Sequence, residues 1–207
     1  MLVSDVINLA RGAELNNLAI KDDKDAIISF INLGMLELYK RFDLINEAAV
    51  LTLKEGVYSY SLNGKDDNVQ VENDKYDLIK IVEVHYDCEP IPINDSNKEN
   101  SVGTPRYNCV EFPACMVEHG KQVAVVYRAS PKFALHERDE LDLPVQLVEA
   151  LLHYVGYRGH LAISGGMQDE NNTHYLRFDK SCKMVEEENL GLFDNLSSNK
   201  FQRRGFV

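Results

Sequence analysis

Leu141 to Leu190, LDLPVQLVEALLHYVGYRGHLAISGGMQDENNTHYLRFDKSCKMVEEENL, is the stretch whose reading decides the fold. It predicts two helices joined by a short connection at Gly165-Gly166. Asp142 stands just before Leu143-Pro144. Proline suits a first helical turn, where its missing N–H would be unpaired anyway, and an aspartate just upstream suits the cap and the dipole. From there Val148, Leu151, Leu152, Val155 and Ala162 recur at helical spacing, with Leu147, Ala150, Tyr154 and Leu161 widening the stripe. In the second helix Tyr175, Phe178, Cys182 and Val185 share a face, while Asp179, Lys180, Lys183 and Glu186 to Glu188 lie largely elsewhere. Neither helix can stand alone, because each needs its apolar stripe covered. The pair therefore predicts a helical hairpin against which the rest of the chain packs.

The N-terminal residues supply a matching partner. Val3, Val6, Ile7 and Ala10 predict a short amphipathic helix capped by Ser4, and Gly12 to Lys21 reads as a loop. Asp22-Asp23 opens a stronger helix in which Ile27, Phe30, Ile31, Gly34 and Leu38 share a face. Its acidic start and its Lys40-Arg41 end both match the helix dipole. Asn32 is read as making a local, cap-like bond and Gly34 as permitting close helix packing.

Between the helical ends the period changes to two. AAVLTLKEGVYSYSL, residues 48 to 62, predicts a β-hairpin around Glu55-Gly56, followed by an exposed loop at Gly64 to Asp74. Leu78 to Tyr86 alternates as a strand. Glu89 to Ile93 reads as an edge strand because of Pro90 and Pro92, and Asn94 to Gly103 as a second polar loop. Cys109 to Val117 and Gln122 to Tyr127 flank Glu118-His119-Gly120-Lys121 and predict a strand pair. Pro113 marks a bulge or an edge, and Ser130-Pro131 ends the second strand. The order is helices, sheet, helices, so the fold class expected is α+β: a helical bundle of the N- and C-terminal helices with an inserted small antiparallel β-sheet domain. The divisions are 1–45 for the N-terminal helices, 46–135 for the β-rich insertion, 136–191 for the C-terminal hairpin and 192–207 for an extended tail.

Composition narrows the function classes. The 207 residues are 44% hydrophobic, enough for one or two cores. The formal net charge is −11, with a pI near 5.0, so the mean field repels nucleic acid. No basic amphipathic face, cationic start or long apolar run occurs, which predicts a soluble protein made in the cytoplasm with no membrane partner. Cys88, Cys109, Cys115 and Cys182 form no C-x-x-C pair and are expected as free thiols, several of them buried. The N-x-S/T triplets at Asn94, Asn171 and Asn195 carry no meaning without a secretory route.

Motifs for chemistry are wanting. No phosphate-cradling glycine loop, G-x-S-x-G or H-E-x-x-H is present, and Ser164-Gly165-Gly166 follows a helix, not a strand. His153 and His160 lie seven apart, and with His174 and Cys182 they could converge on zinc, but ligands on one helix favour spacings of three or four. They are read as surface or interface histidines. His85 and Cys88 point to opposite faces of an extended stretch. Asp66-Asp67, Asp139-Glu140, Asp142 and Glu186-Glu187-Glu188 could serve a hydrolase only if two were held in a cleft with one desolvated; a charge run is more simply a solvated face. No catalytic, cofactor-binding or metal-ligating set is nominated.

DLPVQLVEALLHYVGYRGHLA, its polar connection, and HYLRFDKSCKMVEEE together resemble the C-terminal helical pair of phage head-to-tail adaptor proteins. These small proteins sit beneath the portal of tailed phages, notably short-tailed ones. FINLGMLELYKRFDL is similar to the family's second helix, where an Asn-x-Gly follows an apolar pair; here that is Asn32 and Gly34. The pattern covers nearly the whole chain, and its specific residues lie mainly in 28 to 42, 122 to 131 and 141 to 160. The resemblance implies a virion structural protein with no enzymatic role and no cofactor. Its partners would be the portal protein, a tail nozzle or tube protein, and further copies of itself in a dodecameric ring, with DNA passing through unbound.

The last thirteen residues, NLSSNKFQRRGFV, hold three cations and no acid. Read alone they are a frayed tail. The resemblance implies a segment that orders on assembly, with Phe201 and Phe206 inserted into a neighbour while Lys200, Arg203 and Arg204 meet carboxylates. A carboxylate-dependent cytosolic hydrolase stands as the alternative, and a small regulatory binding module as a third class.

Overall fold

The computed structural model describes residues 1–62, 66–71, 77–87, 89–164 and 173–188. It is an α+β protein that divides into two units, each with a core of its own. One comprises Met1–Arg41 and Phe133–Val207, the other Phe42–Lys132. The sequence placed the β-rich segment at 46 to 135, a few residues later at each end.

The helical unit contains α1 (Val3–Gly12), α2 (Lys24–Arg41), α3 (Val148–Ser164) and α4 (Thr173–Glu187). In α1, Val3, Val6, Ile7 and Ala10 are buried as the spacing requires. Ser4 is not the cap. Leu2 takes that position, and its N–H donates to the Asp5 carboxylate at 3.2 Å. Asp23 caps α2 by accepting from the Ala26 N–H at 3.0 Å. The buried face of α2 is Ile27, Ile28, Ile31, Gly34, Met35, Leu38 and Tyr39, with Phe30 only partly covered. Pro144 precedes a single 3-10 turn, Val145–Leu147, so it lies ahead of α3 proper, which begins at Val148, and not within its first turn.

Two polar side chains tie distant segments of this unit together. Asn32 does not bond locally: its amide donates to the Ala134 carbonyl and accepts from the Ala134 N–H, both at 2.8 Å. A primary amide offers a donor and an acceptor side by side, which matches one residue's backbone. The Tyr39 hydroxyl donates to the Asp142 carbonyl at 2.6 Å. Gly34 behaves as read, since a Cβ there would lie 2.6 Å from Leu151 Cδ1 and 3.0 Å from the Tyr154 ring.

The sheet unit holds eight strands among the described residues. They are β1 (Asn46–Thr52), β2 (Ser59–Ser61), β3 (Val69–Val71), β4 (Leu78–Tyr86), β5 (Glu89–Ile91), β6 (Gly103–Arg106), β7 (Cys109–Glu111) and β8 (Gln122–Ala129). A five-stranded sheet runs β3-β1-β8-β4-β5 and a three-stranded one β2-β7-β6, all pairs antiparallel. Buried Ala49, Leu51, Val84, Val123, Val125 and Tyr127 from the first meet Tyr60, Val110 and Phe112 from the second in one core.

Three local expectations are corrected here. β1 and β2 are not a hairpin, because both edges of β1 are already taken by β3 and β8. The chain instead turns around the Tyr60 hydroxyl, which accepts from Lys54 N–H at 2.8 Å and donates to the Val57 carbonyl at 3.1 Å; Gly56 supplies the left-handed φ of +79°. Within the supposed loop 64 to 74, Val69–Val71 forms β3 after a local turn at Asp66 and Asn68. Cys109–Val117 does not pair with Gln122–Tyr127 either. Pro113 ends the first segment by leading into a 3-10 turn at Ala114–Met116, and β8 is saturated by β1 and β4. Glu89–Ile91 is an edge strand, as its prolines require.

Candidate functional site

Lys200, Phe201, Arg203, Arg204 and Phe206, the residues with a predicted role, lie outside the described residues. So does Cys88, so the expectation that it and His85 point to opposite faces lies outside the described residues; His85 Nε2 stands 2.9 Å from Glu83 on its own strand. Cys109, Cys115 and Cys182 are free, and of these only Cys182 is buried, so the expectation of several buried thiols is not met among them.

The histidines of α3 and α4, expected as surface or interface groups, converge on one another. Their focus is Glu14, which sits in the unpatterned stretch after α1, where periodicity gives no signal. Leu15, beside it, is fully buried and fixes this stretch against α3. Glu14 Oε2 is 2.8 Å from His174 Nδ1, and Glu14 Oε1 is 3.9 Å from His153 Nε2. The other nitrogen of His153, Nδ1, is 3.0 Å from Ser181 Oγ. His160 stacks on His174 with ring centroids 4.1 Å apart and planes 18° from parallel.

Helical geometry explains the assembly. His153, Gly156 and His160 follow one another at intervals of three and four, so they share a face of α3. Gly156 opens a gap between the two rings: a Cβ there would stand 2.9 Å from Glu14 Oε2 and 3.1 Å from His174 Nδ1. Gly159 lets Leu15 approach, with 2.5 Å from its would-be Cβ to Leu15 Cδ2. A glycine spaced between two histidines was the available signal. Without a third partner in view it carried no direction.

Burial, and then the adjacent His174, push the His160 imidazole below its ordinary value. The geometry places the Glu14 carboxylate within hydrogen-bond distance of His174, and the desolvation that lowers His160 disfavours a charge on the ring stacked beside it. It is not arranged as a metal centre: among the described residues no group of three or more His, Cys, Asp or Glu side chains could hold an ion.

A second polar cluster joins α2 to α4. Arg41 Nε is 2.6 Å from Glu186 Oε1 and its Nη1 is 2.8 Å from Asp179 Oδ1, while Lys183 Nζ reaches Asp179 Oδ2 at 2.7 Å. The bond to Glu186 raises the Arg41 guanidinium above its ordinary value, and Lys183 together with Arg41 holds Asp179 below its own. Burial pushes the nearby Cys182 thiol up to about 11, so it is protonated at neutral pH and a poor nucleophile. Asp139 is also held low, because its carboxylate accepts the His136 and Leu135 N–H groups, each at 2.8 Å. A general acid requires the opposite displacement.

No protein-family model matches the chain, and comparison with curated proteins gives no significant match. Among the described residues no helix is long and apolar enough to cross a membrane.

Proposed function

We propose that this chain is a virion structural protein, a head-to-tail adaptor that forms a ring on the portal of a tailed phage. The observation that carries the reading is the order of the fold. Two N-terminal and two C-terminal helices belong to one unit, and an antiparallel sheet unit occupies the chain between them. That order goes with the residue-level resemblance at 28 to 42 and 141 to 160. In the proposed assembly the helical unit builds a dodecameric ring on the portal's lower face, and the sheet unit faces a tail nozzle or tube protein. Lys200, Phe201, Arg203, Arg204 and Phe206 then anchor each copy to its neighbour or to the portal. The net charge of −11 gives the DNA passage a wall to which the duplex does not adhere.

Native mass spectrometry of the protein, alone and mixed with a candidate portal protein from the same genome, tests this. A complex holding multiple copies of both, weakened by deleting residues 195 to 207, is the expected result. A monomer or dimer that ignores the portal overturns the reading and reopens the carboxylate-dependent hydrolase.

A further inference from the structure

β4 pairs with β8 from Leu78 to Tyr86, but with β5 only from Val84 to Tyr86. On the side that β5 leaves, Leu78 to Glu83 has no strand partner among the described residues. The two register shifts of β4 fall in this same half, and they make Ile79 and Val82 the extra residues. Such bulges re-aim side chains and interrupt an edge. A cleft of about 350 Å³ opens here, and Ile79 to Val82 form one wall.

The opposite wall is Ile93, Asn94, Thr104 and Arg106 of β6, and the adjoining Tyr107. Asn94, at φ +54°, holds that wall in place: its Nδ2 donates to Thr104 Oγ1 at 2.6 Å, and the Thr104 N–H donates to its Oδ1 at 2.9 Å. Two cations line the cleft, Lys80 from one wall and Arg106 from the other. Neither is bonded to a carboxylate among the described residues, in a chain with eleven more acids than bases. Tyr107, 69% exposed, stands beside them.

We propose that this cleft binds an extended acidic segment of a partner protein, which adds a short strand to the free half of β4. The unpaired backbone of a strand edge calls for another backbone. Lys80 and Arg106 select carboxylates on that segment, and Ile79, Ile93 and Tyr107 receive the apolar residues between them. Nucleic acid would also offer anions, but the chain's net charge opposes a polyphosphate. The inference does not depend on the adaptor reading.

The test is a titration of the full 15N-labelled chain with a blocked hexapeptide of alternating valine and aspartate, followed by amide NMR to millimolar peptide. Saturable shifts confined to β4, Ile93–Asn94 and the end of β6 through Tyr107 are expected, with slowed amide exchange within Ile79–Val82. The double variant Lys80→Glu, Arg106→Glu should weaken binding at least about tenfold and prefer the same peptide with lysine for aspartate. Both side chains are exposed, so the variant's spectrum should otherwise match the parent's. Absence of shifts overturns the proposal and leaves the bulges and Lys80 as devices that merely blunt an edge. Shifts indifferent to charge reversal also overturn it. So do equal shifts from sodium acetate or inorganic phosphate without amide protection, which would define a simple anion site.

Discussion

Arg41 reaches two carboxylates of α4 from the last residue of α2, and its side chain is only 25% exposed. A planar guanidinium meets both through a fixed fork of N–H donors, whereas a lysine offers only a compact point charge on a flexible stem. Arg41→Met keeps much of the apolar stem and removes the fork. It should lower unfolding free energy by about 1 kcal/mol, because Asp179 keeps Lys183 while Glu186 is open to solvent. Urea denaturation of the variant and of Arg41→Lys measures this, and Arg41→Lys should recover less than half of the loss. His160 makes the second prediction at this scale. Burial and His174 depress its folded value below 6.5, while the unfolded chain titrates near 6.5. Below that pH the unfolded state takes up the proton first, so stability is present above about 6.5 and is lost as pH falls. The groups acting on His160 are His174, stacked on its ring, and Glu14. Denaturation at pH 7.5, 6.5 and 5.5 should show a positive slope with pH, bounded by about 1.4 kcal/mol per unit for one proton. His160→Gln should flatten it, and an unchanged slope would place the proton elsewhere.

At the scale of elements, the helical glycines divide by what lies beside them. Gly12 ends α1 with nothing within 4 Å of a would-be Cβ, so Gly12→Ala should raise stability by up to about 1 kcal/mol through helix propensity and a stiffer unfolded chain. Gly156 lies mid-helix, where the same propensity gain is available, yet a Cβ would meet Glu14 Oε2 at 2.9 Å and Glu14 Cβ at 3.0 Å. Moving Glu14 breaks its contact with His174, so Gly156→Ala should be net destabilising by about 1–2 kcal/mol. Thermal melts of the two variants should move in opposite directions. Helix positions and most of their faces were legible in the sequence because a 3.6-residue stripe is a local property: the apolar positions of Val3 to Ala10, Ile27 to Leu38 and Phe178 to Val185 face their cores. Ala162 and Tyr175, expected on such stripes near the α3–α4 connection, are exposed. Strand partnership was not, because it depends on which edges other strands have already taken. Leu78–Tyr86 was readable as a strand, but nothing in residues 48 to 62 announces that β3 and β8 occupy both sides of β1. Nor could Asn32 be matched to Ala134 across 102 residues, or Glu14 to His153 and His174, since each is a contact of tertiary packing. The free half-edge of β4 and its two cations were equally hidden, since Lys80 reads simply as the polar residue of an alternating strand.

For the molecule as a whole, the two units raise the question of how a sheet can occupy the middle of a helical chain without disrupting it. The sheet unit's own ends supply an answer. Asn46 pairs with Arg128, the Ala129 N–H donates to the Ile45 carbonyl at 3.0 Å, and Arg128 Nε lies 3.3 Å from Asp43. The chain thus enters and leaves this unit on neighbouring strands, so the remaining chain needs only to span a short gap. The sheet unit's core includes Leu51, Tyr60, Val110, Phe112, Val125 and Tyr127 from both sheets, all drawn from residues 42 to 132. A segment with its own core and adjacent ends should fold alone. Residues 42–132 expressed separately should give a dispersed amide spectrum and one cooperative urea transition. The complementary chain, Met1–Arg41 joined to Phe133–Val207 by a short glycine-serine bridge, should keep its helical circular dichroism and the pH slope assigned to His160. A collapsed spectrum for 42–132, or loss of helicity in the bridged chain, would show that each unit's core depends on the other.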